Sequence, residues 1–221
     1  VYGRDARAAA SGLLGDLPGV DFVAGRFGDI WLRDTGPIVV GDRAVGFRFN
    51  GWGGKYVLPH DDTVSRQIAD HARLNLEAHD FVLEGGALDH DGEGTILTTR
   101  QCLLNPNRNP DLKREQIEAK LRHYLGVDRI LWLKHGAIDG DDTDGHIDTL
   151  ARFCDAETIA YQACDDEDDP HYARVLLDLS RDKGFKVLVA LRGAEALALA
   201  REFHPTAVSL DVFLPDMLGW T

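Results

Sequence analysis

The chain has little sulfur: three cysteines and one methionine in 221 residues. Cys102, Cys154 and Cys164 are odd in number and have no CxxC spacing, which argues against a disulfide framework or a zinc cluster and leaves reduced thiols. Long apolar runs are also missing. Nothing approaches the ~20 residues of a membrane span, and no basic-then-apolar segment opens the chain, so a cytoplasmic location is expected. Clusters of Lys and Arg are absent too. Acidic residues outnumber basic ones 26 to 18 up to Cys164 and 11 to 6 after it, for a net charge of −13. Phosphate backbones and anionic membranes need basic patches, so neither nucleic acid nor membrane is an expected partner. A small cation is. No internal repeat survives counting, and the acidic run 165–169 is the best boundary candidate. The chain starts without Met and stops after an apolar stretch, as if both ends were cut.

The hydrophobic residues, 44% of the chain, suffice for an ordinary core. Apolar runs predict strands at 38–40, 81–83, 95–98, 129–133 and 158–163. Amphipathic spacing predicts helices over 62–76 and over 111–125, the second opened by Pro110. After Pro170 the pattern becomes more regular. A helix carries Tyr172, Val175, Leu176 and Leu179 on one face, followed by a strand at 186–190, a helix at 193–203 and a strand at 207–213. Mixed α/β structure comes first, and the order of a doubly wound parallel sheet comes second.

Four segments hold more chemistry than a core needs: WLRDTGP (31–37), FNGWGGKY (49–56), LEGG (83–86) and GDDTDGHID (140–148). His146 and Asp148 are two apart, so on extended backbone they share a face and the imidazole gains a carboxylate neighbour. Asp34 and Glu84 sit in glycine-containing loops at strand ends, where side chains can enter a cleft. Blander alternatives stand beside these: a solvated or ion-paired His146, a structural Arg33–Asp34 pair, and a double glycine that serves only a turn. Calcium loops fail. The twelve-residue template started at Asp89 puts Arg100 where a bidentate acid belongs, and started at Asp139 it puts Asp144 where Gly is needed. Gly54-Lys55 lacks the rest of a phosphate loop.

In order, from about Gly25 to Asp169, these segments and the long stretch FVLEGGALDHDGEGTILTTRQCLLNPNRNP resemble the agmatine deiminase family, within the guanidine-modifying (pentein) superfamily that includes peptidyl-arginine deiminases. The resemblance implies a β/α-propeller of repeated units, here partial. It also implies hydrolysis of a guanidinium to a ureido group with release of ammonia, in putrescine and polyamine biosynthesis, without a cofactor. It casts Asp34 and Asp148 as carboxylates for the guanidinium, His146 as general acid/base and Glu84 as the acid that orients it or the substrate. Trp31, Arg33 and Trp52 become substrate-binding residues. The family's nucleophile is a Cys near the C-terminus after a Gly-rich segment, and nothing after Cys164 is a Cys. Cys102 lies in a segment that resembles a structural part of the family. The chain as given is therefore expected to be inactive, with agmatine as the cation it fits.

From Glu167 onward, EDDPHYARVLLDLSRDKGFKV and AVSLDVFLPDMLGW resemble the receiver domain of response regulators. This implies a deiminase fragment over 1–166 and a receiver-like βαβαβ fragment over 167–221, truncated after its third strand. Glu167 and Asp168 would hold Mg²⁺, and Asp211 would be the phosphoacceptor, supported by Pro215 and Gly219 at the matching spacing. A histidine kinase is the implied partner. The alternatives are a signalling protein whose receiver governs a deiminase-like module, and a reading frame joined from two genes.

Overall fold

Gly41 and Asp42 turn the chain from β1 (Ile38–Val40) into β2 (Arg43–Arg48), with Val40 opposite Arg43. Gly41 has φ 62°, the positive value that opens a type II′ hairpin and that only glycine adopts freely. The computed structural model describes residues 1, 3–15, 17–134, 136, 140–161 and 193–203. Within them the chain divides into two units, Val1–Gly85 and Gly86–Thr221.

In the first unit, helices α1 (Arg4–Leu14) and α2 (Leu32–Thr35) precede the β1–β2 hairpin, and α3 (Gly51–Gly54) follows it. Helix α4 (Val64–Ala72) then carries the chain to β3 (Asn75–Val82), which pairs parallel to β2. Parallel partners need such a crossover. β2 is the middle strand of the three, with Ala44 and Val45 fully buried. Here two sequence expectations are corrected. The helix expected over 62–76 ends at Ala72, because Arg73 takes the left-handed conformation (φ 57°) and the N–H of Leu74 returns to the carbonyl of Ala69. The residues freed form the first part of an eight-residue strand, of which only the end was expected.

The second unit repeats the pattern. β4 (Asp89–His90) runs antiparallel to β5 (Thr95–Thr99), and β6 (Arg129–Leu133) lies parallel to β5 after α5 (Arg100–Leu103) and α6 (Arg114–Leu125). A third hairpin joins β7 (Ala151–Asp155) to β8 (Thr158–Tyr161). Hairpin, crossover helix and parallel strand thus occur twice, and the hairpin begins a third time. The repeat is one of topology. Its first turn has two residues and its second has four, so residue counting misses it.

The second of those turns explains the DHDGEG segment without calcium. Asp91 Oδ1 accepts from the N–H groups of Glu93 and Thr95, each at 2.8 Å. Burial raises the pKa of this carboxyl, but the hydrogen bonds from Thr95 and Glu93 outweigh it and leave the value lowered.

Helix α6 starts at Arg114 rather than 111, since the chain still turns through Leu112 and the N–H of Lys113 is taken by the side chain of Gln116 at 2.9 Å. Gly126, φ 70°, ends it. Its buried face of Ile117, Leu121 and Leu125 belongs to a core that includes Ile96, Leu97, Leu131 and Leu133. Asp89, also buried, accepts from Arg152 Nε at 2.8 Å and from the Phe153 N–H at 2.5 Å, which fastens β7 to β4. Helix α7 (Gly193–Phe203) has the expected bounds. The helix expected to carry Tyr172, Val175, Leu176 and Leu179, the strands at 186–190 and 207–213, Cys164, Glu167, Asp168 and Asp211 lie outside the described residues. Among the described residues no helix is long and apolar enough to cross a membrane.

Candidate active site

In the first unit the chemistry gathers around Asp34. This residue stands in the single turn α2, half-buried, where the hydroxyl of Thr35 donates to the Trp31 carbonyl at 3.2 Å. Trp52 Nε1 donates to Asp34 Oδ2 at 3.0 Å. The indole reaches it because α3 is not a regular helix: Trp52 and Gly53 have φ 53° and 82°, and Asn50 Oδ1 caps the Gly53 N–H at 2.9 Å. Phe49 and Tyr56 meet the Trp52 ring edge-on, with centroids 5.0 and 5.7 Å away. Trp52 is only 5% exposed, so it backs the carboxylate rather than standing in the open. Trp31, 56% exposed, and Arg33 are both open to solvent.

Glu84 follows β3 and is fully buried. The backbone after it crosses that of Arg33 so closely that a Cβ on Gly85 would collide with the Arg33 carbonyl. The first glycine of LEGG therefore permits a close approach that holds Glu84 next to the segment bearing Asp34.

In the second unit His146 is 2% exposed and Asp148 partly open, with Nδ1 and Oδ1 4.0 Å apart. They come together by a turn rather than by the extended backbone expected. His146 (φ −55°, ψ 139°) caps the 3-10 turn Ile147–Thr149, and its carbonyl accepts from the Thr149 hydroxyl at 2.8 Å. The turn places i and i+2 on one side here.

The loop that delivers His146 is held from within. Asp141 accepts from the N–H and hydroxyl of Thr143 at 2.9 and 2.6 Å, and from the Gly145 N–H at 2.7 Å. The His146 N–H donates to the Thr143 hydroxyl at 3.0 Å. Gly145 has φ 87°, and a Cβ there would stand 2.6 Å from the Gly136 carbonyl oxygen.

Three further residues stand near this loop: Thr99 and Arg108, which no sequence motif marked, and Cys102, expected only as a structural thiol. Thr99 donates to the Gly145 carbonyl at 2.6 Å and accepts from the Cys102 N–H at 3.1 Å. Cys102, fully buried, has its sulfur within 4.8 Å of a His146 ring nitrogen. Arg108, in the NPNRNP segment, is fully buried in its side chain and pairs with Asp144 at 2.6 Å. A cation at such depth needs a partner, and an arginine inside a Pro- and Asn-rich segment was the available signal.

The chain matches the model of the Porphyromonas-type peptidyl-arginine deiminase family over residues 1–185. The match runs past the boundary expected at 166, covers Glu167 and Asp168, and ends before Asp211. Agmatine deiminase of Stutzerimonas stutzeri is 43% identical over 190 residues, which cover 79% of this chain and 51% of that protein. Agmatine deiminase of Pseudomonas aeruginosa is 44% identical over 178 residues, covering 73% and 48%. Among solved structures, a cysteine-to-serine variant of C. jejuni agmatine deiminase with substrate bound superposes with a TM-score of 0.73 at 41% identity, over 81% of this chain and 56% of that one. The chain spans about half the length of the curated relatives it matches. Its α/β fold is that of the agmatine deiminase structures. The chain belongs to the Porphyromonas-type peptidyl-arginine deiminase family.

Proposed function

We propose that the chain carries the guanidinium-binding and proton-transfer groups of an agmatine deiminase-type hydrolase. The observation that supports this best is the pairing of Asp34 with Trp52 at 3.0 Å, which fixes the plane of a half-buried carboxylate. A fixed carboxylate matches the planar donor fork of a guanidinium. Asp148 is the second such group, and Trp31 and Arg33 border the substrate's path. In the reaction a thiolate attacks the guanidinium carbon and forms a C–S bond. The bond to the departing nitrogen breaks, and His146 supplies the proton with which it leaves as ammonia. His146 then takes a proton from water, whose oxygen adds to the same carbon. The C–S bond breaks and a ureido group remains. Glu84, fully buried, is the acid proposed to orient the histidine or the substrate. No metal or cofactor enters.

The thiolate is not assigned to any cysteine of this chain. Cys102 is fully buried and Cys154 is 8% exposed, and the surroundings of Cys164 in sequence do not resemble the family's nucleophile segment. The 221 residues therefore bind agmatine without turning it over. The names of the relatives favour agmatine over peptidyl-arginine, and a dication suits an acidic chain. The test is calorimetric titration with agmatine, putrescine and a blocked arginine peptide. Agmatine is expected to bind at least tenfold more tightly than putrescine, which has the same carbon chain without the guanidinium. Equal affinity for the two would sink the proposal, and preference for the peptide would reassign the substrate.

A second reading concerns the receiver resemblance from Glu167 onward, of which the family match leaves residues 186–221 uncovered. Asp211, Pro215 and Gly219 keep receiver spacing, so Asp211 is proposed as a phosphoacceptor, with Mg²⁺ held by Glu167 and Asp168 and a histidine kinase as donor. Incubation with acetyl phosphate and Mg²⁺ should label Asp211. Absence of label would remove this reading.

A further inference from the structure

We propose that Arg108 is a positioning residue for His146 and Asp148, acting as a strap across the loop that delivers them; this rests on the assignment of those two residues to the guanidine chemistry. Arg108 Nη2 donates to the Thr143 carbonyl at 2.7 Å, and Nη1 donates to Asp144 Oδ2 at 2.6 Å and Asn107 Oδ1 at 3.0 Å. Asn107 Nδ2 donates to the same Asp144 oxygen at 2.9 Å. One fork thus grips the main chain at Thr143 and the carboxylate of the next residue. Only a planar donor with several N–H groups can do both at once.

What it grips is the strained part of the loop. Asp144 has φ 66°, a left-handed value that costs a non-glycine residue energy, and Gly145 follows at φ 87°, which glycine adopts freely. They immediately precede His146. Thr143, whose carbonyl the strap holds, also offers the hydroxyl that receives the His146 N–H at 3.0 Å. The path from guanidinium to imidazole is therefore Arg108, Thr143, His146, each step a hydrogen bond or a peptide unit. The 3-10 turn that follows carries Asp148. If the strap slips, histidine and carboxylate move together.

Lysine keeps the charge of Arg108 but cannot grip two acceptors in one plane, so R108K separates positioning from charge neutralisation. Hydrogen exchange is read on the 221-residue chain, residue by residue. The N–H groups of Gly145 and His146 should exchange at least tenfold faster in R108K, while those of Ile96, Leu97, Ile130 and Leu131 stay within twofold of wild type. Agmatine affinity should fall about tenfold in R108K, and R108K should add less than twofold to the loss already caused by D148N. Should R108K fail to fold, D144N keeps the shape and tolerates the left-handed backbone, and should speed the same two amides at least threefold.

Unchanged exchange at Gly145 and His146 overturns the proposal, and so does a uniform acceleration across β5 and β6, which would mark Arg108 as a core support. Selective exchange with agmatine affinity unchanged in R108K also overturns it, since the strap would then position nothing that the ligand uses. If the wild-type chain ignores agmatine, the hydrolase assignment fails, while the exchange pattern still decides whether Arg108 holds the loop.

Discussion

Replacing Trp52 by Phe removes one hydrogen bond and keeps an aromatic ring, though a smaller one. In the wild type the indole N–H fixes Asp34 Oδ2 at 3.0 Å, and Phe49 and Tyr56 pack edge-on against that ring. Phe can occupy part of the same slot at the same positive φ, and the small cavity it leaves is read separately as lost stability in urea unfolding. Asp34 then rotates more freely, and agmatine must arrest that rotation on binding. Arresting one such side chain costs about 0.5–1.5 kcal/mol, which corresponds to a loss of roughly 2–10-fold in affinity. D34N removes the charge itself and forfeits about 1.5–3 kcal/mol, or roughly 10–100-fold. Because Trp52 acts through Asp34, W52F should cause almost no further loss in the D34N background. Calorimetry on wild type, both single variants and the double variant closes this cycle. Fully additive losses would refute the reasoning, because Trp52 would then touch the ligand by itself. A W52F chain that binds agmatine as tightly as wild type would refute it too.

Two other outcomes follow from the same geometry. Glu118 accepts from Arg114 at 2.8 Å, Trp132 at 2.9 Å and Arg122 at 3.3 Å. Burial raises its pKa, yet the hydrogen bonds from Arg114 and Trp132, the charge of Arg114 and the Arg122 contact outweigh burial and leave the value lowered. A lowered folded pKa means stability that is present above the unfolded value, near 4.5, and lost as pH falls through the folded one. E118Q should therefore cost about 1 kcal/mol at pH 7 in urea unfolding, and the gap should close as pH drops below 4.5; a gap independent of pH would contradict the assignment. G85A puts a methyl group into the Arg33 carbonyl, so it should destabilise the chain by about 1–3 kcal/mol and weaken agmatine binding, whereas G92A, with open space around it, should do only what its positive φ dictates. Equal effects on agmatine affinity from the two would show that the close approach at Gly85 does not serve Asp34 or Glu84.

Strands 38–40 and 129–133 and the helix at 193–203 were legible with their bounds, because uninterrupted apolar or helical patterns mark them. β2 was not. Its sequence, RAVGFR, breaks the apolar run with Gly46 and flanks it with arginines, although Gly41-Asp42 already signals a two-residue hairpin before it. The helical pattern overruns past Ala72 because β3 reaches back to Asn75 where β2 offers it a parallel partner, a contact that local spacing does not reveal. His146 and Asp148 were legible as neighbours from spacing, but the turn that joins them was not. The contact of Asp34 with Trp52 spans 18 residues and depends on a left-handed Trp52, which no local pattern announces. Arg108 and Asp144 are 36 residues apart, with α6 and β6 between them in the chain. The candidate site residues sit in short motifs that a sequence displays, whereas the residues that hold them in place depend on tertiary contacts.

Agmatine labelled with ¹³C at the guanidinium carbon, added to the 221-residue chain and followed by NMR, reports binding and turnover in one sample. Asp34 and Asp148 as guanidinium ligands, with no nucleophilic cysteine assigned to the chain, predict that the resonance shifts and broadens, that D34N restores the free-ligand signal, and that no ureido carbon appears over hours. A resonance unchanged by the wild-type chain would contradict the guanidinium site, and a growing ureido signal would show that one of the three cysteines is the nucleophile after all.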